Sequence, residues 1–123
     1  MKKLNAILLL VVTSLFFINC SNDDDYNIVP SMPTGQTTIY DLSSKAVAEI
    51  SGTATFIENT DSSVTITLDV IGTPSGGLHP AHIHFNTAAE GGGIALTLGL
   101  VDGDTGKSEI TTSTLDDGST ITY

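Results

Sequence analysis

The chain has 123 residues and carries 14 acidic against four basic side chains, for a formal net charge of −10. The basic residues are all lysines (Lys2, Lys3, Lys45 and Lys107), which argues against a nucleic-acid partner, because phosphate contacts need several Lys and Arg. The same balance argues against peripheral binding to anionic lipid, and a single cysteine, Cys20, excludes an intramolecular disulfide.

Residues 1–19 read as a targeting segment. Lys2 and Lys3 form a basic start, and residues 6–18, AILLLVVTSLFFI, form an apolar stretch. That stretch is about 13 residues long, against the roughly 20 that a membrane span needs. Cys20 follows directly. A cysteine at this position followed by SNDDD resembles the lipobox of bacterial lipoproteins, with Phe17, Ile18 and Asn19 where small residues are usual. The acidic run at 23–25 resembles the surface-export signal of Bacteroidetes lipoproteins. The resemblance implies a lipoprotein signal peptide cleaved before Cys20 and a diacylglyceryl group on its sulfur. Several acyl chains on one residue anchor stably, which implies display on the outer membrane at the cell surface. Cleavage also removes Lys2 and Lys3, moving the formal charge from −10 to −12. Residues 20–37 then read as an acidic tether, since charge, Pro, Gly and Ser without periodicity bury little.

Residues 38–123 read as one all-β domain. IYDL at 39–42 is a candidate short first strand. AVAEISGTATFI alternates, with Ala46, Ala48, Ile50, Gly52, Ala54 and Phe56 on one face. NTDSS at 59–63 is a turn, and VTITLDVI alternates again with Val64, Ile66, Leu68 and Val70 inward, so the two runs form a hairpin. GTPSGG at 72–77 is a loop. AHIHF is a third strand, NTAAEGGG at 86–93 a loop, and IALTLGL a fourth strand with Ile94, Leu96, Leu98 and Leu100 inward. DGDTG at 102–106 is an Asp-Gly hairpin turn, and its acidic pair lacks the further ligands of an EF-hand calcium loop. KSEITTSTL is a fifth strand, and DDGSTITY enters another. Short strands at this spacing predict an antiparallel Greek-key sandwich or barrel of immunoglobulin-like type. A last strand without a partner gives the expectation that the domain is incomplete at its C-terminus.

All three histidines lie in GLHPAHIHF. Residues two apart in a strand share a face, so Ala81, Ile83 and Phe85 form an apolar face and His82 and His84 project together from the other. Their Cα atoms are expected roughly 6.5 Å apart, within reach of one metal ion at about 2.0–2.1 Å from each imidazole nitrogen. His79, held extended by Pro80, joins them only if the chain bends. Glu49 and Asp69 are candidate oxygen ligands. Imidazoles favour Zn or Cu. A solvated polar strand face with no metal is the competing reading.

LHPAHIHFNTAAEGGGIALTL resembles the signature of the CHRD (chordin-type) domain, an Ala-His-Ile-His strand followed by a Gly-rich loop and an apolar strand, and GTATF with VTITLDVIG resembles its first half. The resemblance covers roughly residues 38–115. Phe85 and Asn86 stand where the family has Gly, and its closing Tyr-x-Asn-x-His element is absent. The resemblance implies an immunoglobulin-like β module and no defined reaction. The same strand is similar to the His-Val-His copper strand of copper–zinc superoxide dismutase, but the chain lacks that family's further histidines, arginine and disulfide. No Gly-x-Ser-x-Gly elbow supports a hydrolase, and GGG at 91–93 lacks the Gly-Lys-Ser/Thr of a phosphate loop. The expectation is a surface-anchored, non-enzymatic binding module with an unknown protein or glycan partner, contacting it through loops 72–78 and 86–93. The alternative is a transition-metal protein using His79, His82 and His84.

Overall fold

The computed structural model describes residues 30–46 and 49–123. The signal peptide, Cys20, Ala48 and the tether up to residue 29 lie outside the described residues. Eight strands follow in order: β1 (Pro33–Ser43), β2 (Ser51–Asn59), β3 (Val64–Ile71), β4 (Leu78–His79), β5 (His82–His84), β6 (Ile94–Thr97), β7 (Val101–Asp102) and β8 (Lys107–Thr112). Pairings are all antiparallel. They form a four-stranded sheet in the order β1-β2-β3-β8 and two small ribbons, β4-β7 and β5-β6. The described residues are all-β, consistent with a sandwich, and form no closed barrel.

β3 holds the sheet together because its alternation is clean. Val64, Ile66 and Leu68 are buried, Ile66 to 1% exposure, while Thr65, Thr67 and Asp69 point to the other face. That outer face is polar and cross-linked: Thr65 and Thr111 share a hydroxyl hydrogen bond of 2.8 Å, Thr67 donates to Glu109, and Lys107 pairs with Asp69. On the inner face Phe56 and Ile110 stand opposite Ile66, and Ala54 and Ser108 opposite Leu68. Leu96, Leu98 and Val101 cover this face from the second layer, with Ala81, Ile83, Leu115 and Ile121 packed at its margin.

The β2–β3 hairpin is closed by side chains that bond backbone and each other. The Asp61 carboxylate accepts from the Ser63 amide and hydroxyl, and buried Asn59 donates to the hydroxyls of Ser63 and Thr65. Such local Asx bonding is why Asn, Asp and Ser collect at turns.

Four expectations need correction. β1 begins at Pro33, so 33–37 of the predicted tether is strand, and the first strand is 11 residues rather than four. Ala46 lies in a bend and β2 starts at Ser51, so the second predicted run is strand only in its later half. The histidine segment is two strands, because Pro80 lacks the N–H to continue a ladder: β4 pairs β7 while β5 pairs β6. The 102–106 turn links two sheets and closes no hairpin, since β7 pairs β4 and β8 pairs β3.

That turn still relies on Asp102, whose carboxylate accepts from the amides of Asp104 and Thr105 and from the Thr105 hydroxyl. Gly106 is obligatory beside it. Its φ is +70°, and a Cβ there would stand 1.7 Å from the Val70 carbonyl oxygen. The close approach lets the Gly106 carbonyl accept from the Val70 amide at 2.8 Å.

Ile66→Ala removes the best-buried side chain and is expected to cost about 2–5 kcal/mol, a large part of a total of roughly 5–15 kcal/mol. Ile71→Ala, at an exposed position, should change stability by no more than about 0.5 kcal/mol. Urea unfolding midpoints of the two variants check both.

Candidate functional site

β5 places its histidines as the period-2 rule requires. His82 and His84 are exposed and Ile83 is half-buried against the core. The two rings lie 6.2 Å apart, centroid to centroid, at 81°. β6 sits beside them in register His82↔Thr97, Ile83↔Leu96 and His84↔Ile94, with a bulge between Ile83 and His84. The bulge explains why Ala95 and Leu96 are both buried while Ile94, predicted inward, is 45% exposed beside His84. Phe85, predicted on the apolar face, lies past the end of β5 and is 46% exposed. Leu100, also predicted inward, is exposed between β6 and β7.

The 86–93 loop is tied to this strand. The Phe85 amide donates to the Gly93 carbonyl at 3.0 Å, and His84 Nδ1 lies 2.9 Å from the Gly92 carbonyl oxygen. A carbonyl oxygen only accepts, so Nδ1 carries the hydrogen and Nε2 keeps the lone pair when the ring is neutral. Gly92 permits that contact, because a Cβ there would fall 2.3 Å from the Phe85 carbonyl oxygen. Within the loop, Asn86 adopts φ +68° and donates to the Gly91 carbonyl. The Glu90 carboxylate accepts from the Thr87 amide and hydroxyl. His84, Asn86, Thr87, Ala88, Gly91 and Gly92 line a shallow concavity of about 520 Å³.

A residue that the sequence reading missed closes the other side. The Asp116 carboxylate accepts from the Thr97 amide at 3.0 Å and the Thr97 hydroxyl at 2.7 Å, while its own amide donates to the Ala95 carbonyl. Asp116 thus caps β6 at Thr97, the residue paired with His82. The Thr97 amide and hydroxyl hold its carboxyl below the ordinary range, with a smaller attraction from His82. Its only sequence signal is an Asp-Asp-Gly turn, which does not reveal a partner 19 residues away. The predicted strand around it reduces to one bridge, Thr114↔Thr120.

The other expected ligands lie elsewhere. His79, on β4, points its Nε2 at the Pro74 carbonyl at 3.3 Å and stands against Gly77. Asp69 is paired with Lys107 on the outer sheet face, and Glu49 sits in the turn before β2. Among the described residues, no group of three or more His, Cys, Asp or Glu side chains comes together to hold a metal ion. The structure unites His82 and His84 and separates them from His79. No protein-family model, curated protein or solved structure matches the chain.

Asp61, Glu90, Asp102, Asp116 and Asp117 are all held below the ordinary carboxylate range by hydrogen bonds from Ser63, Thr87, Thr105, Thr97 and Ser119 respectively. A depressed folded-state pKa contributes stability above the unfolded value of about 3.9–4.3, lost as pH falls through the folded value. Stability is therefore expected to hold from pH 7 to about 4.5 and then fall. Asp116→Asn should lower the urea midpoint at pH 7, and its deficit against wild type should shrink by pH 3.

Proposed function

We propose that the protein is a lipid-anchored, non-enzymatic binding module of the bacterial cell surface, with the His82/His84 strand face and the 86–93 loop as its recognition surface. The observation that carries this reading is the joining of loop and strand: the Phe85–Gly93 and His84–Gly92 hydrogen bonds, with the internal Asn86 and Glu90 bonds, fix the loop before any partner arrives. A pre-ordered loop loses little conformational entropy on binding, so more of its contact energy appears as affinity. The surface combines exposed Phe85 and Ile94 with imidazole, amide and hydroxyl groups, the mixed character of a protein or glycan contact. The CHRD resemblance and the Cys20 context support the same reading, the former through a β module and the latter through an anchor.

Loop 72–78, the other expected contact, is fastened differently. The Asp104 carboxylate accepts from the Ser75 hydroxyl and Gly76 amide, and Thr73 donates to the Gly103 carbonyl. It braces the inter-sheet turn, so the recognition surface centres on 86–93.

Two measurements on cells expressing the full chain test the proposal. A photo-crosslinking amino acid at Ala88 should give a discrete adduct that the same group at Thr53, on the outer sheet face, does not; identical patterns from both sites would reject the surface. Fatty-acid labelling should mark wild type and be absent from Cys20→Ser; equal labelling of both would reject the anchor.

A further inference from the structure

We infer that His82 and His84 form a two-imidazole chelate for a divalent transition-metal ion of borderline softness, Cu²⁺ or Zn²⁺, with water in the remaining positions. The inference rests on the reading of the His82/His84 face as the working surface and names one ligand for it.

Geometry comes first. Two imidazoles bound at about 2.0–2.1 Å to one ion have ring centres roughly 4.5–5.3 Å apart at the 90–110° angles usual for Cu²⁺ and Zn²⁺. The observed separation is 6.2 Å, with both side chains exposed on one strand face. Binding one ion therefore requires the exposed rings to turn about 1 Å closer together.

Protonation comes second. Metal-ligating histidines commonly donate their other ring N–H to a carbonyl or carboxylate, which fixes the tautomer and orients the lone pair. His84 already has this arrangement through the Gly92 carbonyl, leaving Nε2 to bind. The contact depends on a glycine, since a Cβ at position 92 would stand 2.3 Å from the Phe85 carbonyl oxygen.

Charge comes third. Asp116 bonds the amide and hydroxyl of Thr97, the residue that stands opposite His82 in the β5–β6 pair. It stands as a fixed negative group beside a bound cation, on a chain of formal charge −10. Such a field raises the local concentration of cations. Imidazole ligation selects Cu and Zn over Ca or Mg, which prefer oxygen.

The test is calorimetric titration of the full-length chain, purified in detergent without a histidine tag, with Cu²⁺ and Zn²⁺, and with Ca²⁺ as control. Wild type should bind about one Cu²⁺ or Zn²⁺ per chain and no Ca²⁺ at this site. His82→Ala and His84→Ala should each weaken binding by at least the roughly tenfold that even an outer-shell loss costs, and the double variant should abolish it. His79→Ala should match wild type. Gly92→Ala keeps both imidazoles but displaces the carbonyl, and should give an intermediate loss. The electron paramagnetic resonance spectrum of the Cu²⁺ complex should show coupling to two imidazole nitrogens. Because His82 is exposed, the thermal melt of His82→Ala should coincide with wild type, whereas His84→Ala, which loses the Gly92 bond, should melt slightly lower. Equal affinity of wild type and the double variant, or a His79→Ala loss as large as that of His84→Ala, would overturn the chelate. Neither result touches the Ala88 crosslink, so the ligand and the recognition surface fail separately.

Discussion

The structure depends on the one-sided burial of β3. This strand pairs on both edges, with β2 and β8, and sends Val64, Ile66 and Leu68 into the only interface between the two layers of described residues. The alternating threonines give the opposite face a solvated surface linked by hydroxyl hydrogen bonds. A one-residue slip would exchange the two sets, so register and core are the same constraint. Everything in the second layer, including the histidine ribbon, is positioned by packing onto this face through Ile83, Leu96, Leu98 and Val101.

A small domain with so few lysines has another problem, which is what to do with its carboxylates. Surface ion pairs are scarce: Lys107 with Asp69 is the one found among the described residues. Backbone amides and hydroxyls substitute for cations. Asp61, Asp102 and Asp117 close turns, Glu90 orders the 86–93 loop, and Asp116 clamps the C-terminal segment to β6. Each bond uses an N–H that would otherwise face water or go unpaired, and each favours the ionised carboxylate. The acidic composition is thus partly a structural device, and its dependence on ionisation follows.

Period-2 alternation made β2 and β3 legible in the sequence, and Asn-Asp-Ser clustering located their turn. The His82/His84 face was legible for the same reason. What local pattern could not reveal was long-range pairing. The 102–106 stretch has ordinary hairpin chemistry, yet its strands leave for different sheets because β8 finds β3 across the 72–106 segment between Ile71 and Lys107. Pro80 marks the split by its missing N–H, but the separate partners of β4 and β5 leave no local sign. The β6 bulge, which turned Ile94 outward, leaves no compositional mark. Asp116 was invisible for a related reason: its role is defined by Thr97, and only the folded chain brings them together.

These long-range features converge on one small region. Pro80 separates β5 from β4, so the His82/His84 strand pairs with β6 while the strand of His79 pairs with β7. The bulge then turns Ile94 out beside His84, and Gly92 lets the loop carbonyl reach the ring. Asp116 closes the edge of β6 that a further strand would otherwise occupy. A histidine pair on a regular central strand would have had neighbours on both sides and its ring nitrogens open to solvent. Here the pair lies on a two-stranded ribbon with a backbone carbonyl on one imidazole and a carboxylate near the other. The carbonyl contact orders the 86–93 loop against β5, and it is the contact on which the proposed chelate draws.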